Sequence, residues 1–116
     1  MTTRTSETVG SAENALRTRP DVSLSFGADC RLTGTLHYDP LQADLYLVTE
    51  TGVEDLSIDL RAYGLTPAAG RVFVKNWSEH TRLAHELETA GCGSITQRLT
   101  GIGPFNNTAF EMKVVL

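Results

Sequence analysis

The chain of 116 residues contains no long hydrophobic run. No apolar stretch approaches the roughly 18 residues that a membrane-spanning helix needs, so we expect no membrane partner. The first twenty residues are rich in Thr, Ser and Arg and lack the apolar core of a secretory signal. We therefore expect a cytoplasmic protein.

Cysteine and the motifs of common catalytic sites are also scarce. The two cysteines, Cys30 and Cys92, belong to no C-x-x-C pattern, and in a reducing compartment we expect buried thiols and no disulfide. There is no G-x-S-x-G elbow and no H-E-x-x-H pair. Gly101-Ile102-Gly103 runs into a proline and a strand, not into a helix that could hold phosphate. We therefore expect no enzyme activity, no cofactor and no metal ion.

An excess of positive charge is missing as well. The formal net charge is -4, and Asp and Glu are scattered along the chain. Sequence-independent binding to nucleic acid depends on Lys and Arg that neutralise phosphates, so we expect no direct nucleic-acid binding. A mildly acidic protein can instead meet a basic surface on another protein.

The length of the chain indicates a single domain with one core. Residues 1–20 are interpreted as a flexible N-terminal tail. Pro20 closes this tail, because the residue before a proline is pushed out of the helical region. Residues 21–116 then form the domain.

Alternation of apolar and polar residues with a period of two predicts six to seven strands in this domain. They cover residues 22–26, 32–38, 45–50, 56–60, 71–75, 94–100 and 108–116. The third and fourth strands are predicted to form a hairpin.

A single helix of about three turns is predicted between the fifth and sixth strands. Leu83, Ala84, Leu87 and Ala90 form one apolar stripe, and Gly91 ends the helix. The order of elements indicates an α+β fold, in which one main helix packs on one face of an antiparallel sheet.

The joint between the fifth strand and the helix raises the main question about function. Asn76 and Glu79 match a capping box, and Ser78 is an alternative cap for the same helix. A chemical site formed by Ser78, Glu79 and His80 is the competing interpretation. Trp77 is either a core anchor, if it is buried, or a binding hot spot, if it is exposed.

Acidic residues before the joint form a second candidate surface. Asp55 and Asp59 are predicted on the polar face of one strand, and Glu54 is adjacent. With Glu50 they could present spaced negative charge, as a mimic of nucleic acid does. His80 and His85 are five residues apart, which does not suit one shared metal ion.

The joint resembles an element found in small uncharacterised proteins of plasmids, phages and actinobacterial genomes. In that group a strand, an Asp/Asn-aromatic-Ser-Glu-Asn/His joint, a helix and two closing strands follow one another, as they do around Asn76 to His80. The resemblance covers about half of the chain. It implies the architecture and a mobile-element context.

Two other segments are similar to the sporulation and cell-division regulator family of streptomycetes. These are LHYDP, residues 36–40, and DLRAYGLTP, residues 59–67. The chain departs from that family at Ser78, where a helix is predicted in place of a further strand.

The sequence thus favours a small, non-enzymatic accessory factor that binds another protein. An inhibitor of a host defence system, such as an anti-CRISPR protein, fits this description, and its partner could be a nucleic-acid-binding complex. A homodimer is compatible with the sequence. The alternatives are a small metal-dependent hydrolase that uses His80 and His85, and a sporulation or cell-division regulator. The candidate binding residues are Trp77, Glu79, His80, Glu54, Asp55 and Asp59.

Overall fold

The computed structural model describes residues 15–26 and 30–116, except for the side chain of Glu79. Seven strands and one α-helix are present in this part of the chain, which confirms the α+β class. The strands form two antiparallel sheets, whereas the sequence predicted one. The predicted tail at residues 1–14 lies outside the described residues.

The first sheet is a meander of four strands in the order β1-β2-β3-β4. The strands are β1 (Arg17–Phe26), β2 (Cys30–Asp39), β3 (Asp44–Thr49) and β4 (Gly52–Asp55). Residues 17–20 therefore belong to the sheet, and their assignment to the tail was wrong. Pro20 is accommodated because β1 is an edge strand with an irregular register between Arg19 and Val22.

The second sheet contains β5 (Arg71–Lys75), β6 (Gly93–Ile102) and β7 (Asn107–Val114), in the order β5-β7-β6. The helix α1 (Leu83–Thr89) lies between β5 and β6 along the chain and contacts β1, β5 and β6. It is about two turns long, shorter than predicted. The helix therefore packs against both sheets.

One main core joins the inner face of the first sheet, the helix and one face of the second sheet. Apolar residues of the strands and of the helix supply it, including Leu24, Leu36, Leu47, Leu83, Leu87, Val72, Val74 and Met112. A second cluster lies on the other face of the second sheet and consists of Leu60, Phe73, Ile102 and Ala109. The second sheet is therefore covered on both faces.

The connection of residues 56–70 covers that other face, and part of it was predicted as a strand at residues 56–60. Leu56 and Ser57 donate their N–H groups to the carbonyl of Leu45 in β3, and Ile58 donates to the carbonyl of Phe73 in β5. Because the backbone leaves the first sheet and reaches the second within three residues, it forms no strand. The predicted hairpin is nevertheless present, with Gly52–Asp55 as its second strand.

Two glycines and one arginine fix critical points of this fold. A Cβ atom on Gly34 would lie 2.1 Å from the carbonyl oxygen of Val48, so only glycine allows β2 and β3 to approach this closely. Gly91 has a φ of 75° and ends α1 as predicted, with Cys92 donating to the Leu87 carbonyl. Arg19 donates to the carbonyl of Gly91 at 2.9 Å and thereby complements the negative end of the helix.

The two cysteines are in different environments and are both free. Cys92 is buried, as expected, and burial raises the pKa of its thiol although Arg19 opposes that effect. Cys30 is exposed at the start of β2, so the expectation that both thiols are buried was wrong for Cys30.

Candidate functional site

The joint after β5 is not the capping box that the sequence predicted. Ser78–His80 form one turn of 3-10 helix, and Arg82, with a φ of 69°, separates this turn from α1. The Asn76 side chain accepts the N–H of Arg82 at 2.8 Å, six residues away. Ser78 provides no side-chain cap. The side chain of Glu79 lies outside the described residues.

Trp77 is half-buried and packs against the second cluster. The ammonium group of Lys75 lies 5.6 Å from the centre of its ring, within the range of a cation–π contact. The ring is therefore a partial anchor of the core that also retains exposed area.

The two histidines of the joint and helix contact different aromatic rings. His80 is buried, and its ring centroid lies 6.0 Å from that of Phe26. His85 is exposed and meets the ring of Phe110 edge-on at 5.4 Å. In residues 15–26 and 30–116, no group of three or more His, Cys, Asp or Glu residues could hold a metal ion.

The predicted acidic strand face is divided by the structure. Glu54 and Asp55 are exposed on β4, whereas Asp59 lies outside any strand. Hydrogen bonds from the side chain and backbone of Arg61 lower the pKa of Asp59 to about 2, and the shortest contact joins Nη2 to Oδ2 at 2.7 Å. The charge of Asp59 is therefore matched by its neighbour, while Glu54 and Asp55 form no ion pair among the described residues.

Two cavities flank the segment that follows β4. The larger has a volume of about 560 Å³ and is lined by residues 40–44, Asp55, residues 57–61, residues 66–71 and Phe73. The smaller, of about 300 Å³, is lined by Val53, Glu54, Asp55, Ser57, Ile58, Lys75 and His80. Three of the predicted binding residues, Glu54, Asp55 and His80, thus share the smaller cavity, and Asp59 lies at the larger one.

The negative charge around these cavities is visible in the sequence as a segment without basic residues, which a search for motifs does not find. Residues 32–60 contain no Lys or Arg. The same 29 residues contain six acids, which are Asp39, Asp44, Glu50, Glu54, Asp55 and Asp59. In three dimensions Asp39 ends β2, and the others lie on β3 and β4 or in the turn and connection beside them, so the β3–β4 side of the first sheet is acidic.

A second missed feature is the ion pair between the partly exposed Arg71 and the buried Glu111. Nη1 of Arg71 lies 3.0 Å from Oε1 of Glu111, which also accepts from Thr96, while Oε2 accepts the N–H of Ala68. Burial raises the pKa of Glu111, but these hydrogen bonds outweigh burial and the pKa is lowered overall. Arg71 lines the larger cavity, so Glu111 holds a guanidinium group at its wall.

The chain matches no family model, no curated protein and no solved structure. The two resemblances noted in the sequence therefore stay predictions. No helix in the described part of the chain is long and apolar enough to cross a membrane.

Proposed function

We propose that this protein is a non-enzymatic binding module that takes a basic, extended segment of another protein along β4. The observation that carries the proposal is an open sheet edge whose two carboxylates, Glu54 and Asp55, form no ion pair among the residues that the structure describes. β4 is the outer strand of the first sheet, and all four of its residues are exposed.

The backbone of β4 has groups available for a further strand. Leu56 donates to Leu45, and in an antiparallel pair the hydrogen-bonding groups alternate along the strand. The groups of Glu54, which pairs with Leu47, therefore point towards β3, and those of Val53 and Asp55 point away from the sheet. An extended segment can add to such an edge through main-chain hydrogen bonds.

Charge favours a basic partner over a second copy of the chain. Pairing two β4 strands would bring Glu54 and Asp55 of one copy against the acids of the other, and like charges across a strand pair are destabilising. Lys and Arg side chains of a partner would instead meet these carboxylates. Val53, which is 60% exposed, adds an apolar contact on the same strand.

Octalysine with a fluorescent label is a direct probe of this surface. We expect its affinity, measured by anisotropy, to fall steeply between about 50 and 200 mM salt. The double variant Glu54→Gln, Asp55→Asn should weaken binding by about fivefold to tenfold, because each exposed charge contributes up to about 1 kcal/mol.

The matched control is Asp21→Asn, which removes an exposed acid from the opposite edge strand. It should leave the affinity within about twofold of the parent, since distant surface charges are screened. Equal losses in the control and the double variant, or an affinity for octalysine that does not respond to salt, would count against the proposal.

An inhibitor of a host defence complex, such as an anti-CRISPR protein, is a narrower form of this proposal. The acidic β3–β4 side of the first sheet supports it, because a nucleic-acid-binding partner presents cations along its binding channel. Competition between this protein and labelled DNA for such a complex tests it. DNA that stays bound at saturating protein would argue against inhibition of this kind.

A regulator of sporulation or cell division is the second candidate. It is supported by the position of the two segments that carry that resemblance: Pro40, Asp59, Arg61 and Pro67 all line the larger cavity. Expression in a streptomycete, with septa counted by microscopy, tests this candidate. If neither the parent protein nor the Asp59→Asn variant changes the number of septa, that result would disfavour this candidate.

A further inference from the structure

The geometry of the larger cavity points to a site for the C-terminal lysine or arginine of the partner segment. This inference rests on the proposed function, because it names the end of the basic segment that the first sheet takes. The cavity adjoins β4 through Asp55, and its volume of about 560 Å³ exceeds what one such residue needs. It carries a cation on the second sheet and carboxylates on the first.

Arg71 provides the receptor for a terminal carboxylate. Its bond to Glu111 at 3.0 Å is the only hydrogen bond of its guanidinium group within the described residues. The side chain is 39% exposed and lines the cavity, so it has contact area and N–H donors left for a ligand. Because Glu111 is buried and accepts three hydrogen bonds, the guanidinium group is held in place before a ligand arrives, and a fork of N–H donors matches a carboxylate.

Asp44 and Asp55 provide the receptor for a cationic side chain. Oδ1 of Asp44 accepts the hydroxyl of Ser57 at 3.2 Å, which orients this carboxylate at the cavity. Neither Asp44 nor Asp55 forms an ion pair in the described part of the chain. Asp59, the third carboxylate of the cavity, is already matched by Arg61. Since Arg71 is matched by Glu111, the cavity keeps a net negative charge and favours a ligand with an additional cation.

The two receptors lie on opposite sides of a short stretch of backbone. Ser57 contacts Asp44, and the next residue, Ile58, donates to Phe73 of β5, two positions from Arg71. Asp44, Asp55 and Arg71 all line this one cavity, so the two receptors face the same space. Ile58, Leu60 and Phe73 line the cavity and can cover the methylene groups of a lysine or arginine stem.

Three labelled peptides test the inference: an acetylated peptide that ends in Gly-Ser-Arg with a free carboxylate, its C-terminal amide, and a free acid that ends in Gly-Ser-Gln. We expect the arginine acid to bind about tenfold more tightly than its amide, since a bidentate charged contact is lost in the amide. The glutamine acid should also bind about tenfold more weakly.

Variants then assign the two ends of the site. Asp44→Asn should reduce the preference for arginine over glutamine and leave the preference for acid over amide. Arg71→Lys keeps a cation beside Glu111 but removes the fork, so the preference for the acid should fall. Arg98→Gln, an exposed change on β6, is the matched control. Circular dichroism checks that each variant is folded. Lysine is chosen at position 71 because a neutral residue there would leave the buried Glu111 carboxylate without a cationic partner.

The outcomes separate this inference from the proposed function. Equal binding of the acid and the amide, both weakened by Glu54→Gln with Asp55→Asn, would overturn the inference and leave the proposed function intact. Failure of octalysine and of all three peptides to bind would overturn both. A preference for the acid that Arg71→Lys does not change would also overturn the inference.

Discussion

Replacing Gly34 by alanine gives a quantitative test of how closely β2 and β3 approach. The added Cβ would lie 2.1 Å from the Val48 carbonyl oxygen and 2.8 Å from its carbonyl carbon, whereas Cβ atoms essentially never come closer than 3.0 Å to such atoms. Both partners belong to the backbone, so neither can rotate away. The strands would have to separate locally by about 1 Å, which lengthens the adjoining N–H···O bonds beyond their normal range.

The expected cost combines overpacking with weakened hydrogen bonds. Overpacking in a tight interior costs about 1–3 kcal/mol, and each backbone hydrogen bond contributes about 1 kcal/mol net. We therefore expect Gly34→Ala to lower the free energy of unfolding by on the order of 3 kcal/mol. For a domain of this size that corresponds to a fall in Tm of about 10–15 °C.

Urea unfolding followed by circular dichroism measures this effect, and Gly64→Ala is the matched control. Gly64 has a φ of 77°, and a Cβ there would meet nothing within 4 Å, so alanine adds backbone strain without a clash. Its expected cost is about 1–2 kcal/mol. If Gly34→Ala were no more destabilising than Gly64→Ala, the close approach of the two strands would be refuted.

Three further predictions concern charged groups. The pKa of Asp59 in an NMR titration should be about 2 and should return towards 3.8 in Arg61→Ala; an unchanged value would exclude the pair in solution. The pKa of Glu111 is lowered from 4.5, so the stability that its carboxylate contributes is present above that pH and is lost as the pH falls further. Glu111→Gln should therefore lower the free energy of unfolding by about 2 kcal/mol at pH 7. In urea unfolding, the stability of this variant should also fall less with decreasing pH than that of the parent. Arg19→Ala should lower the free energy of unfolding by about 1–2 kcal/mol, and the control Arg98→Ala should lower it by about 0.5 kcal/mol or less. Equal effects of the two variants would contradict the role of Arg19 at the helix end.

Local periodicity explains which parts of the fold could be predicted. Val22, Leu24 and Phe26 are buried on one face of β1, as alternation indicates, and Gly91 ends the helix at the expected residue. The division into two sheets was not predictable in this way, because strand pairing depends on contacts between residues far apart in sequence. Residues 56–60 alternate like a strand, yet the N–H groups of Leu56 and Ser57 bond to the first sheet and that of Ile58 bonds to the second.

The start of the helix shows a different limit. Asn76 followed by Glu79 has the spacing of a capping box, but that spacing does not reveal that Arg82 adopts a left-handed conformation. The 3-10 turn has already ended at His80, and Arg82 is the N-cap of α1, which therefore begins only at Leu83. The Asn76 side chain still accepts a backbone N–H, although from a residue that sequence spacing would not select.

The candidate site was predictable in part. Glu54 and Asp55 could be recognised as exposed acids, because a polar residue in a short strand after a turn is usually solvated. Arg71 and Glu111 could not be recognised as a pair, since they are 40 residues apart and lie in strands that also carry many apolar residues. Glu111 is buried, and Ala68 of the connection between the two sheets donates its N–H to the Glu111 carboxylate, a contact that sequence spacing does not reveal.

The strand order of the second sheet also constrains how the protein assembles during synthesis. β7 is the last of its strands to be translated, yet it is the central one, with β5 on one side and β6 on the other. The ribosome therefore releases β5 and β6 before either has its neighbour in the sheet, whereas each strand of the first sheet pairs with the strand made just before it. The first sheet can form during translation from contacts between successive strands, and the second must wait for a long-range closure, which is the slower kind of folding step.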